Sequence, residues 1–375
     1  MPEQDAAPRV WVIDAYRAGE RTQLRALAGA LGWPFEIKTL GYRRPGLASA
    51  LLLRNDLRGI SAVASDPLTP PWPDLVLSIG MRNEPVARWI RDQSGGRTKL
   101  VFLGRQWADP RHFDLIITTP QYPVPQRANV LRNALPLHGV TRARLDGAAA
   151  LWAPRLAHLP RPYVTLNIGG SSGPYAFGPH AAARLLRDTL ALARARGASL
   201  LISSSARTPA CAIAAFAAQA DVPMQLYRWR RDDPENPYLG FLALADEVIV
   251  TADSISMLAE AQATGKPVHM FDISAGPCSM RHDMLCAGGE RNAASALAKA
   301  DPDLPDHSPG ARAYRALMRY GWSYLSRDIS RLHLRLIRSG RAVWLGDAPN
   351  NSSAADAPGD MARAVEAIRA LIPRS

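Results

Sequence analysis

Lysine is nearly missing from this chain. Only Lys38, Lys99, Lys266 and Lys299 occur among 375 residues, so arginine supplies almost all of the 45 basic side chains behind a net charge of +12. Together with abundant alanine and proline, this reads partly as the coding bias of a GC-rich genome. The charges are scattered along the chain, as on a solvated surface, and no basic run with interleaved aromatics stands out. Nucleic acid is therefore not the expected partner. An anionic membrane surface or a nucleotide suits the excess charge better. Cysteine is equally scarce. Cys211, Cys278 and Cys286 have no metal-ligand spacing and cannot form an even framework, so they read as buried thiols. No apolar run reaches the roughly eighteen residues that a membrane span needs. MPEQDAAPRV lacks the make-up of a signal peptide, and the expectation is a cytoplasmic protein, at most peripheral at the inner membrane.

Several enzyme motifs are missing as well. A P-loop ends in Gly-Lys-Ser/Thr, but Gly265-Lys266 is followed by Pro267. The loop at Gly169 reads G-G-S-S-G, not G-x-G-x-x-G. A short-chain sugar epimerase needs Tyr four residues before a catalytic Lys, and Pro34, Gly95, Gln262 and Ser295 stand there instead. No H-E-x-x-H or paired-cysteine site occurs and the histidines are dispersed, so no metal site is expected.

What the sequence does contain is an alternation of apolar strands and helices, repeated in two halves. It predicts an α/β protein with two Rossmann-like parallel-sheet domains facing a cleft. The expected division is an N-terminal domain over 1–150, a C-terminal domain over 160–345, and a loop plus final helix over 346–375. A proline-marked linker is expected around 141–160. In the first half RVWVID (9–14) reads as a strand, followed by the loop DAYRAGERTQ. A helix comes next, with Leu24, Leu27, Ala28 and Leu31 on one face. Strands follow at 35–40, 74–80, 99–104 and 113–119. The second half opens with YVTLNIGGSSGP (163–174), then a helix and SLLISSSARTP (199–209). GWSYLSRDISRLHLRLIRSG (321–340) reads as helical, and Met361, Val365, Ile368 and Ile372 mark a final helix that needs a surface to pack on.

The stretch NPYLGFLALADEVIVTADSISMLAEAQATGKPV (236–268) carries the most chemistry. It reads as helix, buried strand, polar turn and second helix. Unpaired N–H groups where that helix begins, beside Asp253, Ser254 and Ser256, suit a diphosphate. They equally suit plain capping by Asp253 or Ser254. Glu260, nearly two turns on, could reach a ribose. Gly169 and Gly170 lack Cβ, so backbone N–H groups there could approach a phosphate, with Ser171 and Ser172 adding hydroxyls. Ser203, Ser204 and Ser205 end the next strand. Arg207 after them could fork onto a phosphate or make a surface ion pair. Asn236 reads as a helix cap or a binding residue, with Tyr238 beside it.

GGSSGP, SSSARTP and ADSISMLAEAQATGKPV resemble the donor domain of GT-B glycosyltransferases. More specifically, the chain is similar to the plant elongated-mitochondria fission-factor family and its bacterial branch, treated as candidate glycosyltransferases. The resemblance runs through DAYRAGERTQLRALAGALGWP (14–34), GRQWADPRHFDLIITTP (104–120), NVL (129–131), SSARTP, and above all NPYLG followed by TADSISM. The family usually places a His-Asp pair after the strand-end proline. Here Pro120 is followed by Gln121, Tyr122 and Pro123, and Glu20 stands where a histidine is common.

The resemblance implies a metal-independent glycosyltransferase without a separate cofactor, its donor substrate a nucleotide-sugar held by the second domain. Asp14 and Glu20 are the candidate general bases, with Arg17, Gly19 and Gln23 beside them on the acceptor side. The acceptor would be a lipid-linked or cell-envelope glycan at an anionic membrane surface. The alternative is a GT-B-like scaffold at a membrane that has lost catalysis.

Overall fold

The computed structural model describes residues 7–43, 55–219, 221–290, 292–293, 309–320, 327–348 and 359–373. They divide into two compact units. One holds the described residues up to Gly139 together with the C-terminal helix, and the other begins at Val140.

The first unit contains β1 (Val10–Ile13), α1 (Ala18–Leu31), β2 (Phe35–Lys38), a small antiparallel pair β3 (Gly41–Tyr42) and β4 (Ile60–Ser61), and β5 (Leu75–Ile79). It continues with α2 (Glu84–Gln93), β6 (Lys99–Leu103), β7 (Leu115–Thr118) and β8 (Val130–Arg132). Six strands form a parallel sheet in the order β2-β1-β5-β6-β7-β8. The period of two along each strand sends Val10, Val12, Leu75 and Leu77 into one core and Trp11, Ile13 and Val76 into the other. That two-sided burial explains their unbroken hydrophobic runs. The apolar stripe of α1 at Leu24, Leu27, Ala28 and Leu31 is buried, and Gly32 ends the helix in the left-handed region at φ 72°.

The second unit contains α3 (Arg142–Leu156), β9 (Tyr163–Ile168), α4 (Pro179–Arg196), β10 (Ser199–Ser204), α5 (Ala210–Ala217), β11 (Met224–Tyr227) and α6 (Tyr238–Leu244). After these come β12 (Glu247–Thr251), α7 (Ile255–Gln262), β13 (Val268–Phe271), α8 (Met280–Ala287), α9 (Pro309–Tyr320), α10 (Ser330–Arg338) and β14 (Val343–Trp344). Its parallel sheet runs β11-β10-β9-β12-β13-β14. Counted within the unit this is 3-2-1-4-5-6, the doubly wound order whose direction reverses between β9 and β12. The expected class, α/β with two Rossmann-like parallel sheets, is what the two units have.

The final helix α11 (Asp360–Leu371) packs on α1. Ala364 and Ile368 are fully buried among Leu24, Leu27 and Leu31. Asp360 accepts from the Leu135 N–H at 2.9 Å, and Arg369 donates to the Leu31 carbonyl at 2.9 Å.

Two local readings differ from the structure. Residues 141–160 are mostly helix, not linker. Thr141 caps α3, its Oγ1 accepting from the Arg144 N–H at 3.3 Å, and Pro154 falls inside the last turn, where its missing N–H forfeits one helical bond without ending the helix. In the first unit, α1 starts at Ala18, so Gly19, Glu20 and Gln23 sit on the helix and not in the loop before it. Of the expected helix over 321–340, residues 330–338 are helical and 321–326 lie outside the described residues. Within the loop expected over 346–360, so do 349–358.

Candidate functional site

Three loops of the second unit meet at the C-terminal ends of β9, β10 and β12, the position where open α/β sheets bind ligands. The Gly169 N–H donates to Thr251 Oγ1 at 2.6 Å, and the Gly170 N–H donates to Asp253 Oδ2 at 3.0 Å. Arg207 donates to that same Oδ2 at 2.8 Å, and to the Gly170 and Ser171 carbonyls at 3.2 and 3.0 Å. Ser205 Oγ donates to the Gly169 carbonyl at 3.3 Å, and Thr208 Oγ1 to the Ile168 carbonyl at 2.7 Å.

The glycines are required by crowding. A Cβ on Gly169 would stand 2.4 Å from Asp253 Oδ2, and one on Gly170 would stand 2.0 Å from the Arg207 carbonyl oxygen. Asp253 is 1% exposed. Burial pushes its carboxyl above the ordinary range, against the pull of the Arg207 guanidinium.

This geometry changes the part the loop could play. The amides of Gly169 and Gly170, expected to face a phosphate, already serve Thr251 and Asp253. Ser171 Oγ accepts from the Phe177 N–H at 2.9 Å, Ser172 bridges to Tyr175 through backbone bonds, and Ser204 Oγ accepts from the Trp229 N–H at 2.8 Å. What stays open is the start of α7. Its N-cap Ser254 makes no side-chain capping bond, and the first bond into the helix is from the Leu258 N–H to the Ser254 carbonyl. The N–H groups of Ile255, Ser256 and Met257 precede that bond and have no helical acceptor. Beside them stand the half-buried side chains of Ser254 and Ser256.

Glu260 is half-buried and accepts from the Tyr238 hydroxyl at 2.5 Å. Burial raises its pKa, opposed by that bond and by the charge of Arg144, and the Tyr238 phenol rises well above its usual value. In this conformation the oxygen expected to hold a ribose is taken by Tyr238. Asn236 Oδ1 accepts from the Tyr238 N–H at 3.0 Å, a local cap on the entry to α6.

In the first unit, Asp14 closes β1 and is 8% exposed. Its carboxylate meets Arg21 at 3.1 Å and Arg25 at 3.5 Å, both on α1. The expected neighbours of that carboxylate were Arg17, Gly19 and Glu20; the early helix start brings the next turn to it instead. Arg17 is largely exposed and lies 3.8 Å from Glu20, while Gln23 Nε2 donates to the Gly19 carbonyl at 3.3 Å. Asn83 donates to the Ile13 and Asp14 carbonyls, and the Tyr42 hydroxyl donates to Asn83 Oδ1.

Sequence reasoning missed Thr208 and His333, and it placed Thr251 in the polar turn before α7 without giving it a role in the site. A threonine at a strand end beside a glycine loop was a usable signal for Thr251. His333 gave none: it reaches from α10, and its Nε2 lies 2.7 Å from the Ala252 carbonyl, in the turn that presents Asp253.

The profile of the family described as "Mitochondrial fission ELM1" matches residues 18–288. The chain is 31% identical over 248 residues to "Mitochondrial fission protein ELM1" of Arabidopsis thaliana, a match spanning 60% of this chain and 57% of that protein's length. It is 24% identical over 295 residues to an uncharacterized Rickettsia prowazekii protein, RP120, covering 70% of this chain and 82% of that one. Among solved structures, the ADP-heptose lps heptosyltransferase II of E. coli aligns over 97% of this chain and 98% of its own, at 12% identity and a TM-score of 0.40.

Proposed function

The chain belongs to the mitochondrial fission ELM1 family, and on that premise we propose that it is a GT-B-like glycosyltransferase. It would take a sugar from a nucleotide-sugar and pass it to a lipid-linked or cell-envelope glycan acceptor at a membrane surface. The observation that carries this reading is the uncapped start of α7 at the point where the strand order of the second unit reverses. A diphosphate leaving group gains negative charge as the glycosidic bond breaks. Three helix-start N–H groups, the positive end of the helix and the hydroxyls of Ser254 and Ser256 would stabilise that charge. Arg207 would help once released from Asp253, and Glu260 would meet the ribose after exchanging its bond with Tyr238. The acceptor proton would pass to Asp14 or Glu20 in the first unit.

A second reading has its own support. Gly169, Gly170, Ser205, Arg207 and the Oδ2 of Asp253 are hydrogen-bonded to one another, as in a loop that serves only to hold the fold. A membrane scaffold of GT-B-like build would look like this.

A thermal-shift panel of nucleotide-sugars separates the two readings, since a ligand that binds only the folded chain raises its melting temperature. The enzyme reading expects one nucleotide class to stand out, and a flat panel would favour the scaffold. With a competent donor and acceptor, Asp14→Asn is expected to lower turnover by ~10²–10⁴ while donor affinity holds. Full turnover in that variant would move the role to Glu20.

A further inference from the structure

The first unit has a reversal point of its own. Its sheet order places β1 beside β5, with β2 on one side and β6 to β8 on the other, so the loops after β1 and β5 flank the position where a ligand enters such a sheet. The loop after β5 carries Arg82. Its guanidinium lies 5.0 Å from the centre of the Tyr16 ring and 5.6 Å from that of Tyr42. Two aromatic faces fix a planar cation without using its N–H donors. Among the described residues Arg82 makes no hydrogen bond or ion pair.

The surroundings favour an anion there. Burial raises the Tyr42 phenol far above its usual value, against the pull of Arg82 and with the push of Asp14 and Glu20, and its hydroxyl is spent on Asn83. Tyr42 therefore stays neutral and cannot act as the counter-ion. Asp14 is held by both Arg21 and Arg25, and Glu20 has Arg17 within 3.8 Å. Three guanidinium groups thus pair with these two carboxylates, and Arg82 pairs with neither. Gly80, at φ 85°, lets the chain turn sharply here, and Tyr16 remains 73% exposed at the opening.

We infer that the loops after β1 and β5 form an oxyanion site in which Arg82, braced by Tyr16 and Tyr42, recognises a phosphate monoester or a carboxylate. A guanidinium fork meets either group through two parallel, charge-assisted hydrogen bonds. If the chain is a glycosyltransferase, the group is the charged part of the acceptor. The site itself does not depend on that reading, because it lies within the first unit.

The test is calorimetric titration of the full chain with glycerol 3-phosphate and, separately, glucuronate, at low and high salt. Saturable binding of at least one probe, weakened by salt, is expected, and which one binds distinguishes phosphate from carboxylate. Arg82→Ala should weaken it at least tenfold. Arg82→Lys should recover only part of the loss, because the charge returns without the fork. Tyr16→Leu removes an exposed stacking face and should weaken binding severalfold with the fold intact. Arg187→Ala, which removes an exposed arginine of the second unit, should leave this binding unchanged. If the wild-type chain takes a probe through Arg82 yet binds no nucleotide-sugar, the donor reading fails and the oxyanion site stands. No saturable binding of either probe, or equal affinity in wild type, Arg82→Ala and Tyr16→Leu, would overturn the assignment.

Discussion

Gly170 shows how tightly single residues are set around the reversal point of the second unit. Its missing Cβ leaves room for the Arg207 carbonyl, which a methyl would meet at 2.0 Å. Backbone cannot move aside cheaply, so Gly170→Ala should cost about 2–3 kcal/mol of stability in denaturant titrations. Gly147, by contrast, is an exposed glycine inside α3 with nothing near its missing Cβ. Gly147→Ala should stabilise by about 0.5–1 kcal/mol. Equal effects of the two changes would mean that the close approach at Gly170 is not maintained in solution.

His333 makes a pH-dependent contribution to the same region. A carbonyl can only accept, so Nε2 must carry the proton that bonds to Ala252. Burial lowers the pKa of His333 from 6.5 to about 4. Between those values the unfolded chain binds the additional proton and the folded one does not. The stabilisation is therefore complete above pH ~6.5 and lost as pH falls towards 4, by up to about 3 kcal/mol. His333→Gln should flatten that part of the stability profile; a profile identical to wild type would remove His333 as its source.

At the scale of elements, the C-terminal helix is part of the first core. Ile368 is fully buried against residues of α1 and the sheet. Ile368→Ala should cost about 2–4 kcal/mol and raise hydrogen exchange over 18–31, with no change over 163–204. Loss of protection in both segments would mean that the two units unfold as one.

The apolar strands and α1 were legible because a parallel sheet covered on both faces demands continuous Val, Ile and Leu, and because an α-helix repeats every 3.6 residues. Leu24, Leu27, Ala28 and Leu31 needed no other information. The start of α1 was less visible, since Arg17 precedes it and makes no side-chain cap that would announce it. Pro154 suggested a break where the structure keeps a helix, at the loss of one helical bond, whereas Pro160 does mark the break between α3 and β9. The three loops of the second unit could be grouped from their sequence alone, since each follows a predicted strand. Their mutual hydrogen bonds could not, because the pairing of Gly170 with Asp253 spans 83 residues. The same holds for Arg82 between Tyr16 and Tyr42, which only the folded sheet brings together.

For the whole molecule, the central claim is that the second unit receives the diphosphate of a nucleotide-sugar at the start of α7. Ser256→Asp tests it by setting stability against binding. A carboxylate in the first turn of a helix favours the positive end of its dipole, so the variant should be at least as stable as wild type. The same carboxylate would face the phosphates and repel them. Calorimetric titration of wild type and Ser256→Asp with the nucleotide-sugar that stands out in the thermal-shift panel is the most direct measurement. The expected result is an affinity at least tenfold weaker in Ser256→Asp, with an unchanged or higher melting temperature. Equal affinity in the two proteins, or no binding of any nucleotide-sugar by the wild-type chain, would contradict it.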